Sequence, residues 1–563
     1  MVGAVRSQGK IVNIESKYFN IDTIERLVLI NQNVDELNVS YPEPKGSISV
    51  DHTEYTFIEN VVELEVGRVY NITDEDDRRY TLYFTELPII NIASSHTIVD
   101  EPKVLAHFTM CEPSGNYIVN NIGIEYRGGS TQSLAKKSFK VEFWEDANGS
   151  STTDFCLLDM RCDDDWNLQA MCNEPLRLRS KLGYELWNKI DTLYYHKEES
   201  SAINGVRQEY VELFVDSAYR GLYALSERID RKQLQLKKYD NGEIKGELYK
   251  GIAWGASTFT DLPPFNNQKD EWSGFEYKYP DSEIEWANIH EFVDFVIHEE
   301  DISFYENYSD RFNIDNAVNY FIFLNLLRAT DNAGKNLFIA KYDKGEPYFY
   351  IPWDLDGSFG TIWDGSIENI TDDILTNGFY RRLILDDSEN GFTVRLAKRW
   401  NELRSHVLET ERLIQDFTHR INYLQKSGVY ERELKTWTAC ESYNQSIVQY
   451  TIDWLTQRLD YLDEVFNNPD LLTSINHDRL ISNTSLNIYP NPATNAISIE
   501  ASDVHEDLES IVIVNNLGVS VLSIYIQSSN VNMDVSNLNS GIYYVVATFS
   551  NRSRIVEKLL IHK

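Results

Sequence analysis

Up to about residue 90, apolar and polar positions alternate. Ser47–Asp51, Thr53–Ile58, Val61–Val66 and Arg79–Phe84 each keep a period of two, separated by turns rich in Gly and Asp. Short strands at this spacing predict a small Ig-like β-sandwich over residues 1–86, an accessory module with no chemistry of its own. The composition changes from Leu87–Ile92 on; strands continue at Lys103–Met110, Asn121–Tyr126 and Lys136–Trp144, and Tyr210–Asp230 reads as a hairpin ending near Glu227. The period then changes. Leu178, Leu182, Leu186 and Trp187 mark a helix over Pro175–Ile190, and further helices are predicted over Trp286–Glu300, Ile314–Leu327, Phe392–Leu424 and Gln445–Phe466. Residues 251–285 carry Trp, Phe, Pro and Asp without a period and read as a functional loop. From Ile481 alternation returns in Ala496–Glu500, Ser510–Asn515, Val519–Ile526, Ile542–Phe549 and Arg554–Ile561, a second small sandwich. The fold class is α+β.

Composition narrows this picture. A chain of 563 residues exceeds one core, and 42% hydrophobic with 12% aromatic residues is ample for folded domains. A formal charge of −36 argues against nucleic acid as a partner and against anionic lipid surfaces. No run approaches the roughly 18 apolar residues of a transmembrane segment, and the first residues lack an apolar signal core. An exported form would therefore have lost its signal peptide. Five cysteines, Cys111, Cys156, Cys162, Cys172 and Cys440, form no CxxC pair. Cys156, Cys162 and Cys172 are near enough in sequence to allow a disulfide, and an odd number leaves one thiol over.

The chemistry concentrates in Leu326–Gly360. A helical apolar run delivers the chain to Asp331; Asn336 follows five residues later; two β-rich runs, Asn336–Ala340 and Tyr348–Ile351, then lead to Asp354 and Asp356. An Asp, an Asn five residues on, a hairpin and an Asp at a strand end suit phosphoryl transfer. The first Asp orients or deprotonates a hydroxyl, while the Asn and the later Asp hold Mg²⁺. Upstream, the turn Arg127-Gly-Gly-Ser-Thr131 offers backbone N–H groups to an anion, with Lys136 and Lys137 entering the next strand. Arg177, Arg179 and Lys181 crowd a helix start that the dipole does not favour for cations, so they serve a phosphate or carboxylate, or are simply solvated. Two other readings compete. A surface binding or adhesion protein would use the aromatic 251–285 stretch as a glycan or peptide groove. A glycosidase would use Asp354 and Asp356, which share a face about 7 Å apart if the strand continues.

Several motifs in order resemble the CotH family, the spore-coat-protein-H-like atypical kinases: Tyr126-Arg-Gly-Gly-Ser-Thr…Lys136-Lys-Ser-Phe, Asp165-Trp-Asn-Leu, Tyr219-Arg-Gly-Leu-Tyr-Ala-Leu-Ser-Glu-Arg-Ile-Asp, Thr330-Asp-Asn…Lys335-Asn and Ile351-Pro-Trp-Asp-Leu-Asp-Gly-Ser-Phe-Gly. The tail, with Ile488-Tyr-Pro-Asn-Pro-Ala-Thr-Asn, Asn516-Leu-Gly and Leu538-Asn-Ser-Gly-Ile-Tyr-Tyr, resembles a type IX secretion C-terminal sorting domain. The first resemblance implies a two-lobe kinase-like core over 87–470, between the sandwich of 1–86 and a sorting sandwich of 481–563. It implies ATP and Mg²⁺ as cofactors and a protein hydroxyl as acceptor, with the chain acting as a monomer. Carried over, Asp331 is the catalytic Asp and a metal ligand beside Asn336, Asp354 and Asp356. Lys137, or Lys136, contacts phosphates with Arg127, Gly128, Gly129 and Ser130. Arg179 and Glu227 sit near the nucleotide. The second resemblance implies a Bacteroidetes-like bacterium, secretion or display on the outer-membrane surface, and attachment to a surface glycan or lipopolysaccharide after the tail is cleaved. Departures from ordinary kinases are Ala-Thr-Asp for His-Arg-Asp, Asp-Leu-Asp for Asp-Phe-Gly, and a glycine-poor loop.

Overall fold

The computed structural model describes residues 9–386, 388–482, 485–502, 508–515, 520–525, 530–549 and 554–563. The chain divides into two compact units, Met1–Arg382 with Ser388–Glu464, and Leu383–Asp387 with Val465–Lys563. Asn516-Leu-Gly of the tail motif lies outside the described residues.

The first unit opens with a seven-stranded sheet whose order is Lys10–Asn13, Lys45–Val50, Thr53–Val61, Tyr70–Thr73, Arg79–Phe84, Leu27–Ile30 and Phe19–Asp22. The stretch Val61–Val66 leaves the sheet after Val61. Leu64 and Glu65 are irregular, the Leu64 amide donating to Asn38 at 2.8 Å and the Glu65 amide to the Tyr70 hydroxyl at 2.7 Å, before Val66 bridges back to Phe84. Alternation alone cannot tell a strand from an irregular stretch whose one apolar residue is buried. Leu27, Leu29 and Tyr83 of this sheet pack with Ile89, Phe214 and Tyr219 of the next layer, and Asp22 accepts the Tyr219 amide at 2.9 Å.

That layer is a closed seven-stranded barrel built from Tyr117–Arg127, Ser138–Trp144, Asp165–Gln169, Ala218–Ser226, Gln208–Val215, Ile89–Ser94 and Val104–Cys111. Its interior holds Ile122, Ile124, Val141, Phe143, Trp166, Leu168, Leu213 and Leu225. The 208–226 hairpin turns at Asp216 and Ser217, both at positive φ (52° and 63°), as a tight two-residue hairpin requires.

A five-stranded sheet follows: Glu271–Trp272, Phe275–Tyr279, Glu247–Gly251, Leu337–Lys341 and Tyr348–Pro352. It takes strands from the stretch expected to be an irregular loop. Trp272, Phe275 and Tyr277 are buried there against Tyr249 and Trp286, and Phe259 against Phe292 and Phe379, so most aromatics of 251–285 make a core, while Trp254 stays exposed. The helix Ile314–Leu327 is buried on every side from Asn316 onward, which is why its sequence is nearly continuous in apolar residues. It ends where Arg328 turns left-handed (φ 48°) and binds Asp373 at 3.0 Å. The expected helix over Phe392–Leu424 is two helices, Phe392–Arg404 and Thr410–Lys426, because Glu409 caps the second through the amides of Glu411 and Arg412.

The second unit carries the sheets Ser485–Tyr489, Ala496–Ser502, Asn530–Asp534 and Ser520–Tyr525, Leu508–Asn515, Gly541–Phe549, Arg554–Ile561. Ile497, Ile499, Ile511, Ile513, Val545 and Leu559 share one core.

Candidate active site

A cleft of ≈ 500 Å³ lies between the barrel and the five-stranded sheet. Its acidic side is built from backbone outward. After Arg328 the chain makes a single 3₁₀ turn, Thr330–Ala333, whose Asp331 carbonyl accepts the Lys335 amide at 2.8 Å. Asn332 is buried and donates its side-chain amide to the carbonyls of Asn336 and, at 2.8 Å, Trp353, while Tyr320 holds the Asn332 carbonyl at 2.9 Å. The loop is thereby stapled to the strand end that carries the second acidic pair. Gly334 has to be glycine, since a Cβ there would lie 2.2 Å from Thr258 Cγ2.

Asn336 and Asp354 both adopt left-handed backbone (φ 54° each), which Asn and Asp tolerate better than other side chains. The Asp354 amide donates to the Tyr184 hydroxyl at 2.9 Å, fixing the bend. Since the strand ends at Pro352 and Asp354 is left-handed, Asp354 and Asp356 do not continue a pleat, and the same-face spacing of a glycosidase pair does not arise. Asp331, Asn336, Asp354 and Asp356 all line the cleft.

On the barrel side Gly128 (φ 105°) makes the turn; a Cβ on it would meet Thr131 Oγ1 at 2.1 Å. Arg127, Gly128, Gly129 and Thr131 line the cleft, and the space around Gly129 is open. The side chain of Ser130 lies outside the described residues. The strand begins at Ser138, two residues later than expected, so both lysines precede it. Lys136 lines the cleft, but its ammonium is buried against Glu433 and the Leu222 carbonyl. Burial pulls it down to about 8 against the opposing pull of Glu433. Lys137 points behind the turn and donates to the carbonyls of Gln132 and, at 2.8 Å, Leu134.

Two further expectations are placed elsewhere. Glu227 is buried outside the cleft lining, accepting the amides of Arg161 (2.9 Å) and Arg207 (2.8 Å) and the Gln233 side chain (3.0 Å). It closes a chain junction. Arg179 is buried beside the cleft, 3.4 Å from the Asp356 carbonyl. The helix begins at Arg179 and not at Pro175, because Arg177 is left-handed (φ 56°) and Glu174 caps the amides of Leu178 and Arg179. Arg177 and Lys181 are not solvated: Arg177 pairs with Glu433 at 2.9 Å and Lys181 with Glu209 at 3.1 Å.

Glu174, Tyr184, Lys250 and Trp363 also line the cleft, and Glu433 holds Lys136 from behind; none of them carries a local motif that marks it out. Two disulfides form, Cys156–Cys162 and Cys172–Cys440, and Cys111 stays a buried thiol pushed up to about 11 by burial. Cys172 lines the cleft, so the second bridge ties its wall to a residue 268 positions away.

Burial and the neighbouring Asp354 push Asp356 up to about 8. Among the described residues neither carboxylate has an ion-pair partner within 4.0 Å, although Arg127 and Arg179 exert an electrostatic pull. Two crowded carboxylates and an amide oxygen fit a hard divalent cation, which removes the repulsion. Among the described residues, the set of three acidic groups gathered within 4.8 Å is a different one, Asp154, Asp163 and Asp164. Lys232 already sits on it, 2.9 Å from Asp164 and 3.1 Å from Asp163. Asp331, Asp354 and Asp356 of the cleft do not form such a set of three.

In this mixed α and β chain, two acidic loops face a glycine turn and a buried lysine across the cleft. The family model described as CotH kinase protein matches residues 124–462, more than half of the chain, and the chain belongs to that family. The model for a secretion system C-terminal sorting domain matches residues 487–562. The protein is thus a CotH-like protein routed by type IX secretion to the cell surface or beyond it. Among the described residues no helix is long and apolar enough to cross a membrane. No curated relative matches. Among solved structures, one match is PorZ, described as an essential bacterial surface component of the type IX secretion system of Porphyromonas gingivalis. It is 15% identical over 14% of this chain, at a TM-score of 0.13. This chain spans 12% of that one.

Proposed function

We propose that the chain is an exported atypical protein kinase that transfers the γ-phosphate of ATP to a Ser or Thr hydroxyl of a partner protein, with Mg²⁺. The observation that carries the reading is the convergence of Asp331, Asn336, Asp354 and Asp356, from two loops stapled together by Asn332, on the cleft that also holds the Arg127–Thr131 turn. In this reading the barrel and the helical part with the five-stranded sheet are the two lobes, and residues 87–470 are the kinase domain between the 1–86 and 481–563 modules. Mg²⁺ and ATP, when bound, supply the transferred group and neutralise its charge.

The chain's own residues do the rest. Asp331 would receive the proton of the acceptor hydroxyl as that oxygen bonds to the γ-phosphorus and the bond from that phosphorus to the ADP oxygen breaks, releasing ADP. Asn336, Asp354 and Asp356 would hold the metal, and the Gly128–Gly129 backbone and Arg127 bind phosphate oxygens. Lys136, fixed by Glu433, keeps a positive wall behind them. Arg179 steadies the Asp354–Asp356 bend through its carbonyl. Glu227 and Lys137 act on the framework alone. The binding-protein alternative is weakened by the burial of Phe259, Trp272, Phe275 and Tyr277, though Trp254 of that stretch stays exposed.

Calorimetric titration of ATP, with and without Mg²⁺, into the wild type and Asp354→Asn tests the reading. Metal-dependent binding that the variant loses, followed by transfer of labelled γ-phosphate to a protein acceptor, is the expected result. A wild type that binds no ATP under either condition would overturn it.

A further inference from the structure

Lys250 stands in the cleft without a role in anything described so far. Its strand, Glu247–Gly251, is held on both sides, by Phe275–Tyr279 and by Leu337–Lys341, so its position is fixed. The next residue, Gly251, accepts the Asn336 amide at 3.0 Å. Lys250 is therefore one residue from the loop that carries Asp331 and Asn336.

Its surroundings do not satisfy it. Among the described residues no hydrogen bond or ion pair to the Lys250 ammonium is found, and Glu276, its register partner on the adjacent strand, is held by Lys278 at 2.9 Å. Burial pulls the ammonium down; Glu276 and Asp354 oppose this, while Lys278 and Arg127 add to it. A half-buried ammonium loses hydration, and without a partner nothing in the fold returns that loss. Arg127, on the barrel side, is likewise half-buried, with Asp354 near, its guanidinium 6.0 Å from the Trp353 ring centroid and no ion pair among the described residues. Two unsatisfied cations from two walls, facing carboxylates that want a metal, fit one class of ligand. A metal-bound polyphosphate brings negative oxygens to the cations and the metal to the carboxylates.

We propose that Lys250 binds the terminal phosphate of the nucleotide, closing on it from the sheet side as Arg127 does from the barrel side. Its place beside the Asp331–Asn336 loop puts it at the phosphate nearest the acceptor hydroxyl. The proposal rests on the nucleotide reading given above, but its test separates the two.

The full, disulfide-bonded chain and its Lys250→Met and Lys250→Arg variants are titrated with inorganic tripolyphosphate, ATP and AMP, each with Mg²⁺. Lys250→Met is expected to weaken tripolyphosphate and ATP by ~10–100-fold, the scale of one charge-assisted hydrogen bond. AMP should change by less than about twofold, Lys250→Arg should recover most of the loss, and Lys250→Met should melt no lower than the wild type. Unchanged tripolyphosphate affinity in Lys250→Met overturns the proposal and leaves the nucleotide site standing. An equal loss for AMP, or a lower melting temperature, assigns Lys250 to the framework and also overturns it. Tripolyphosphate bound through Lys250, with no phosphate transferred from ATP to any acceptor, would sink the kinase reading while the Lys250 contact stands. A wild type that binds neither polyphosphate overturns both.

Discussion

Two clusters of charge lie in the first unit, one buried and the other lining the cleft, where Asp354 is exposed and Arg127, Lys250 and Asp356 are half-buried, and they are built on opposite terms. Behind the barrel wall, Glu433 holds both Lys136 and Arg177, and the next residue, Arg432, pairs with Glu212, whose other oxygen takes the Tyr219 hydroxyl. In the cleft, Arg127, Lys250, Asp354 and Asp356 feel one another's fields, yet among the described residues none has an ion-pair partner. Charges removed from water cost several kcal/mol each unless partnered. The first cluster offsets that cost internally and is architecture. The second, only partly removed from water and without ion pairs among the described residues, stays open to a ligand in the proposed reading.

The largest effect expected from this contrast is on chemistry. Asp331→Asn and Asp354→Asn should each lower phosphate transfer by ~10³-fold or more, since positioning and charge neutralisation supply most of the rate. Asp354→Asn should melt no lower than the wild type, because it relieves repulsion with Asp356. Transfer within about tenfold of wild type in both variants would remove these residues from the chemistry.

The framework cluster should show the reverse. Glu433→Ala strands Lys136 and Arg177 without a carboxylate and should cost ~3–5 kcal/mol in denaturant unfolding. A shift under about 1 kcal/mol would mean that the trio is not the strut described here. The Cys172–Cys440 bridge belongs to the same framework. Cys172→Ser with Cys440→Ser should cost ~2–5 kcal/mol, since the closed loop is long. Nucleotide affinity below the melting range should change little, which a titration at low temperature would check.

Much of the acidic side was legible in the sequence because it is local. Asp331 and Asn336 share one turn, and Asp354 and Asp356 end the hairpin that follows, so spacing alone brings them together. The cation side was legible only in part. The Arg127–Thr131 turn declared itself through its glycines, but the fate of Lys136 depended on Glu433, nearly three hundred residues away, which no local pattern announces. Glu227 misled for the same reason. A glutamate at a hairpin end has the right position for a nucleotide contact, and only the fold shows that it caps the amides of Arg161 and Arg207. The aromatic 251–285 stretch lacked a period because its strands are two to five residues long and its side chains fill a core between sheet and helix. Periodicity needs longer elements than that.

The smallest expected effect falls on Lys137, and it is the most discriminating between the pattern of residues and their placement. A lysine just after a glycine turn has the position of a phosphate ligand. In the fold its ammonium instead ties the Gln132 and Leu134 carbonyls from behind, with the Tyr223 hydroxyl donating to its own carbonyl at 2.9 Å. Lys137→Ala should therefore cost ~1 kcal/mol of stability, the worth of one or two hydrogen bonds. It should leave affinity for Mg²⁺ with ATP within about threefold of wild type, whereas Arg127→Ala, which removes an unpaired guanidinium from the cleft, should weaken it at least tenfold. If calorimetry ranked the two variants the other way round, the turn would have to open on binding and deliver Lys137 to the phosphates. The line drawn here between paired framework charge and unpaired functional charge would then fail at its boundary.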